Sequence, residues 1–99
     1  MITVFTEAAK ADLVSIGDYI AQDNPQRALS FVRDLRDVAA RLADTPTAFA
    51  LVPRYAKHGI RCRTFGRYLI FYRIVPEQLT ILHIRHGARD YGGLLPNDA

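Results

Sequence analysis

The sequence predicts an α+β fold with an N-terminal strand, an antiparallel helical hairpin and then a three-stranded antiparallel sheet. Three observations carry this. Two stretches place apolar residues at helical spacing and are separated by one break, at Asp23-Asn24-Pro25. Three strand-like runs follow, joined by very short connections, Gly66-Arg67 and Pro76-Glu77-Gln78. Because the helices come as a block before the strands instead of alternating with them, they must collect on one face of the sheet.

Residues 2 to 5, Ile2-Thr3-Val4-Phe5, are β-branched or aromatic and long enough for one strand. Thr6 then suits a helix N-cap, and Glu7 places an acid in the first turn, where the helix dipole favours it. Ala9, Leu13, Ile16 and Ile20 fall on one stripe, which gives an amphipathic helix over about residues 7 to 22. Asn24 can cap a second helix, and Pro25 suits its first position, where no backbone donor is needed. The second stripe, Ala28, Phe31, Val32, Leu35, Val38, Ala39 and Leu42, is the strongest periodic signal in the chain, with Ser30, Arg33, Asp34, Asp37 and Arg41 turned the other way. So short a connection lays the two helices antiparallel, side by side.

Asp44-Thr45-Pro46 ends that helix, and residues 45 to 59, with Pro46, Pro53 and Gly59, show no period and read as a loop. The runs Ile60 to Phe65, Tyr68 to Val75 and Leu79 to His86 read as strands whose tight connections force antiparallel pairing. Tyr68-Leu69-Ile70-Phe71-Tyr72 is apolar on both faces, as a covered central strand should be. Gly87 closes the last strand.

The chain has 99 residues, 49% hydrophobic and 23% charged, which is the composition of one ordinary globular domain spanning residues 1–99 and excludes a disordered segment. The single cysteine, Cys62, excludes an internal disulfide and reads as a small buried hydrophobe; with no secretory or membrane-spanning stretch, the expected location is cytoplasmic. Charge is uneven: five Lys/Arg against seven Asp/Glu through Asp44 (−2), then eight against three after it (+5). Eleven of the thirteen cations are arginine, whose forked guanidinium suits phosphate or carboxylate, so an acidic partner, nucleic acid or protein, is expected.

Arg61 and Arg63 share one strand face, Arg73 shares a face with Leu69 and Phe71, and Arg85 shares one with His83. Pairing that unites these faces would give one basic surface. Two readings fit such a surface: a phosphate-binding site, or the solvated charges of a half-exposed sheet. His83 and His86, three apart on a strand, face opposite sides and make no metal pair; no metal or other cofactor is expected. His86 at the strand end suits a hydrogen bond to backbone or to Asp90. The chain has no Gly-rich phosphate loop, and neither Ser15 nor Ser30 lies in a nucleophile elbow. Arginines with a histidine as acid or base permit metal-independent phosphodiester cleavage, with Tyr91 or Tyr72 to stack on a base, but they equally permit a purely binding surface. Core or rim packing is the alternative for Tyr68 and Tyr72.

Ala11-Asp12-Leu13, Ile16, Tyr19-Ile20-Ala21, Asp23-Asn24-Pro25, Ala28, Tyr68-Leu69-Ile70-Phe71-Tyr72-Arg73 and His86-Gly87-Ala88-Arg89-Asp90 together resemble the ParE branch of the RelE/ParE toxin superfamily, from residue 1 to about 91. The resemblance implies a RelE/ParE-like fold and the toxin half of a type II toxin-antitoxin pair. It would stop growth when free and be silenced in a hetero-oligomer with a cognate, ParD-like antitoxin. It implies DNA gyrase as the target and a binding inhibitor instead of an enzyme, with Arg61, Arg63, Arg73, Arg85, His86 and Arg89 as the toxic surface. The alternative is a ribosome-dependent mRNA endoribonuclease of the RelE type, for which Arg61, Arg73, Arg85, His86 and Tyr91 are the catalytic candidates. RelE nucleases also use lysine on the sheet, whereas Lys10 and Lys57 here lie outside the strands. Val14, Tyr19 and Leu29 lie off the main helical stripes and are expected either to contact the antitoxin or to broaden the buried faces.

Overall fold

A computed structural model describes residues 1–87. In chain order it contains β1 (Ile2–Phe5), α1 (Glu7–Ala21), α2 (Pro25–Ala40), a 3-10 turn (Arg41–Asp44), a second 3-10 segment (Pro53–His58), β2 (Arg61–Phe65), β3 (Tyr68–Val75) and β4 (Gln78–His86). The helix caps are those the residue types dictate. The Thr6 hydroxyl accepts from the Ala9 amide at 3.0 Å, and the Asn24 side chain accepts from the Arg27 amide at 3.0 Å with Pro25 following at the first helical position.

The sheet holds four strands in the order β1-β4-β3-β2. β2, β3 and β4 form the expected antiparallel meander, but β1 joins it, pairing parallel with β4 from Ile2↔Gln78 to Phe5↔Ile81. The expected three-stranded sheet is thus extended by the N-terminal strand. A parallel partner is available because the hairpin carries the chain back over the sheet before β2 begins.

Both helices cover one face. Ala9, Leu13 and Ile16 of α1 and Leu35 and Ala39 of α2 form the main core with Tyr68, Ile70, Tyr72, Leu79, Ile81 and Ile84. The other face carries a smaller core of Tyr55, Ile60 and Phe71, against which Val52, Cys62, Leu69 and Leu82 pack. β3 is therefore covered on both sides.

Residues 45 to 59 depart from the expected structureless loop. Pro53–His58 is a 3-10 segment that inserts Tyr55, 2% exposed, into the smaller core. Leu51 forms an isolated bridge with Arg61, and the Val52 amide donates to Ile60 O at 2.8 Å, so this stretch also covers part of the free edge of β2. So short a 3-10 segment, kinked at Tyr55, leaves no periodic signature in sequence. The second helix likewise gives up α geometry after Ala40 and reaches Asp44 as a 3-10 turn.

The two hairpin turns differ in strain. Gly66 takes φ 59°, which glycine adopts freely, whereas Glu77 takes φ 64° in the Pro76-Glu77 turn. An L-residue in this region loses on the order of 1 kcal/mol. Glu77→Gly should therefore raise unfolding stability by about 1 kcal/mol in denaturant titration; an unchanged or lowered midpoint would show that the turn is not under strain.

Candidate functional site

Three surfaces hold the residues that could act. The first is the outer side of the hairpin. Here α1 and α2 enclose a groove of about 760 Å³ whose apolar lining includes Val14, Gly17, Ala21, Leu29 and Val32. Its rim holds both signs of charge, Arg33 and Arg36 with Asp18 and Asp37. Gly17 keeps the floor deep, since a Cβ there would meet Val32 Cγ2 at 3.2 Å. Val14 is 64% and Leu29 78% exposed. Tyr19, also exposed, lines a different cleft between α1 and β4, so the three expected antitoxin contacts divide two to one.

The second surface is that cleft, about 450 Å³, lined by Asp12, Ser15, Ile16 and Tyr19 from α1 and by Ile84, Arg85 and His86 from β4, with Tyr68. β1 ends before β4 does, and α1 supplies the missing partners. The Thr6 amide donates to Ile81 O at 3.1 Å, its hydroxyl donates to Leu82 O at 2.9 Å, and the Ile84 amide donates to Asp12 Oδ2 at 2.9 Å. The same carboxylate oxygen lies 3.2 Å from His83 Nδ1, which is also 3.2 Å from an Arg85 guanidinium nitrogen. One ring nitrogen can donate to Asp12 or accept from Arg85, not both at once. His86 lies on the hairpin side of the sheet, edge-on to Tyr68 with ring centroids 5.3 Å apart.

The third surface is the arginines, and here the register overturns the expected single basic face. Arg61 pairs with Tyr72 and Arg63 with Ile70, both core residues under the hairpin, so these two arginines lie on the hairpin side. Arg61 donates to Phe49 O at 2.7 Å, and the Arg63 guanidinium sits 5.1 Å above the Phe49 ring. Arg73 follows Tyr72 and faces the other way, with Phe71 and Leu69; Arg85 pairs with Leu69 on that same far side. The cause is arithmetic: Arg61 and Arg63 pair with even-numbered residues of β3, and Arg73 is odd-numbered. A bulge in β4 opposite Phe71/Tyr72 turns His83 to the Phe71 side while Ile81 and Ile84 stay in the main core. His83 and His86 thus lie on opposite faces, and among the described residues no cluster of His, Cys, Asp and Glu could hold a metal. Arg89, Asp90 and Tyr91 lie outside the described residues.

Nothing in the sequence singles out Phe49 as the anchor of two arginines. Asp12 is the other residue with an unforeseen role; it stands in the Ala11-Asp12-Leu13 fragment of the family resemblance, directly before Leu13 of the buried stripe. Among the described residues no helix is long and apolar enough to cross a membrane.

A helical hairpin on one face of a four-stranded sheet, with an open apolar groove and its arginines on the strands, resembles a solved toxin-antitoxin structure. A chain described as "Chromosomal ParDE TA system from P. aeruginosa" matches with a TM-score of 0.75 at 27% sequence identity, covering 87% of this chain and 95% of that one. The family model described as ParE toxin of type II toxin-antitoxin system, parDE, matches residues 3–91, and the chain belongs to that family. No curated protein matches it.

Burial pushes the Cys62 thiol from its ordinary 9.0 up to about 11. The folded protein holds this proton more tightly than the unfolded chain does. The resulting stabilisation is fully present below pH 9 and is lost as pH rises towards 11. Cys62→Ala should flatten that stretch of the stability-pH curve, and a thiol reagent at pH 8 should label Cys62 far more slowly in the native protein than in denaturant. Equal labelling rates would refute the burial.

Proposed function

We propose that this chain arrests growth when free, that a ParD-like antitoxin silences it within a hetero-oligomer, and that its target is DNA gyrase, bound without chemical change. The observation that carries the antitoxin half is the groove between α1 and α2, where Val14 and Leu29 stand 64% and 78% exposed over an apolar floor. Covering a side chain of this size contributes about 1.5–3 kcal/mol, so an amphipathic helical segment with both signs of charge at its edges suits the site. Tyr19 then belongs to the neighbouring cleft and extends the contact surface around α1.

The target half rests on family membership and is supported by how the arginines divide. Metal-independent cleavage needs cations, acid and base gathered on one phosphate, and Arg61 is held by Phe49 O on the opposite face from Arg73 and Arg85. The target surface in this reading is Arg73 and Arg85 on the far face; Arg61, Arg63 and His86 lie on the hairpin side, and Arg89 lies outside the described residues. The toxin works as one domain in the cytoplasm, where gyrase lies, and a half-buried free thiol suits that compartment.

Val14→Glu combined with Leu29→Glu should weaken antitoxin binding by about 100-fold, from two lost apolar contacts, while leaving growth arrest intact. Unchanged affinity would remove the groove from the reading. Purified protein should also inhibit a gyrase supercoiling reaction and leave messenger RNA on a programmed ribosome whole, with Arg85→Ala reducing the gyrase effect. Cleaved message with untouched gyrase would replace this reading with a RelE-type endoribonuclease. Inactivity in both reactions, with normal growth on expression, would leave a protein that binds antitoxin without toxicity.

A further inference from the structure

The sheet face turned away from the hairpin has an unusual charge inventory. Its outward strand residues include Arg73, His83 and Arg85. The segment Pro53–His58, packed over the same face through Tyr55, adds Arg54, Lys57 and His58. That is four Lys/Arg and two His, met at the β4 edge by one carboxylate, Asp12, 3.2 Å from His83 Nδ1; between residues 45 and 87 the only acid is Glu77, in the Pro76-Glu77 turn. On the other side of the sheet, residues 7 to 44 hold seven acids against five cations, and Arg61 and Arg63 bring that side to seven of each. The excess positive charge therefore lies on the far face.

Two further features narrow what this face could hold. Arg73 is partly buried, and among the described residues its Nε has no hydrogen-bond partner and no carboxylate neutralises it. Burying a guanidinium part-way without a counter-charge is unfavourable unless an anion completes the site. Of the apolar residues here, Tyr55, Ile60 and Phe71 are at most 2% exposed; Leu51, Val52 and Leu69 leave one apolar pocket of about 270 Å³ beside them, and part of the β2 edge that could take an added strand is engaged by residues 50–52. Away from that pocket the face is cationic, the surface suited to a phosphate backbone.

We propose that this face binds the backbone of double-stranded DNA, with Arg73, Arg85 and Lys57 contacting phosphates. Arg85 pairs with Leu69, four residues before Arg73, so the two guanidinium stems start about 14 Å apart, from about 3.3 Å per residue along β3 and about 4.8 Å across to β4. That is close to the roughly 12 Å width of the major groove and lets the two arginines meet phosphates on its two sides. The site lies across the sheet from the hairpin groove, so DNA and a segment in the groove can be held together. This inference does not depend on gyrase being the target.

The test is fluorescence anisotropy of the full chain with a labelled 20-base-pair duplex between 50 and 200 mM salt. Three phosphate contacts give a slope of log affinity on log salt near −3, or about 40-fold weaker binding across that range. Arg73→Gln with Arg85→Gln should weaken binding at least about 10-fold at the lowest salt and bring the slope near −1. Arg33→Gln with Arg36→Gln, removing two charges from the groove rim, should leave the slope near −3. If the first pair lowers the melting temperature, Lys57→Gln with Arg85→Gln, which keeps Arg73, should show the same loss, and Arg85→Lys should restore most of it. No duplex binding at 50 mM salt, or binding indifferent to the far-face substitutions, would overturn the proposal. So would polyglutamate held as tightly as duplex by the same arginines, which would mark the face as a site for an acidic protein.

Discussion

β3 is the strand on which everything else is hung. Tyr68, Ile70 and Tyr72 face the hairpin while Phe71 and Leu69 face the smaller core, so one eight-residue strand is buried on both sides. Burying five large side chains contributes on the order of 10 kcal/mol before the opposing chain entropy, comparable with the whole net stability of a protein this size. β3 also pairs on both edges, with β2 and β4, and its alternation therefore dictates which face every arginine of the sheet occupies. A slip of one residue would bring Arg73 under the hairpin.

The second constraint is the mismatch in length between β1 and β4. β1 has four residues and β4 nine, which would expose the backbone of β4 beyond Ile81 as a bare edge. Thr6 and Asp12 complete the ladder from the helix instead, with Thr6 capping α1 through the same hydroxyl that donates to Leu82 O. Helix start, strand edge and the His83–Arg85 pair are thus coupled through two side chains. The aromatic series Phe65, Phe31, Tyr68 and His86 ties α2 to the sheet near the same place.

Much of this was legible in advance because it is local. The boundaries of β3 follow from its apolar run and its turn residues, and those of α1 and α2 from caps at Thr6 and Asn24 that the structure realises atom by atom. Exposure of Val14 and Leu29 follows from their position off the buried stripes. The 3-10 segment carrying Tyr55 was not legible, since a few residues without a period resemble any loop. The parallel pairing of β1 was not legible either, because strand neighbours distant in sequence leave no mark on composition.

The sequence by itself determined the class of fold, the hairpin, the meander and the concentration of arginine in the second half, because each depends on residue type and spacing along one segment. Only the tertiary structure decided which arginines share a face. That depends on the register between β2 and β3, which sets Arg61 and Arg63 beside the hairpin around Phe49 and leaves Arg73 and Arg85 on the far side. Side-chain alternation within a strand is local, but the offset between two strands is fixed by the cores that close on both of their faces.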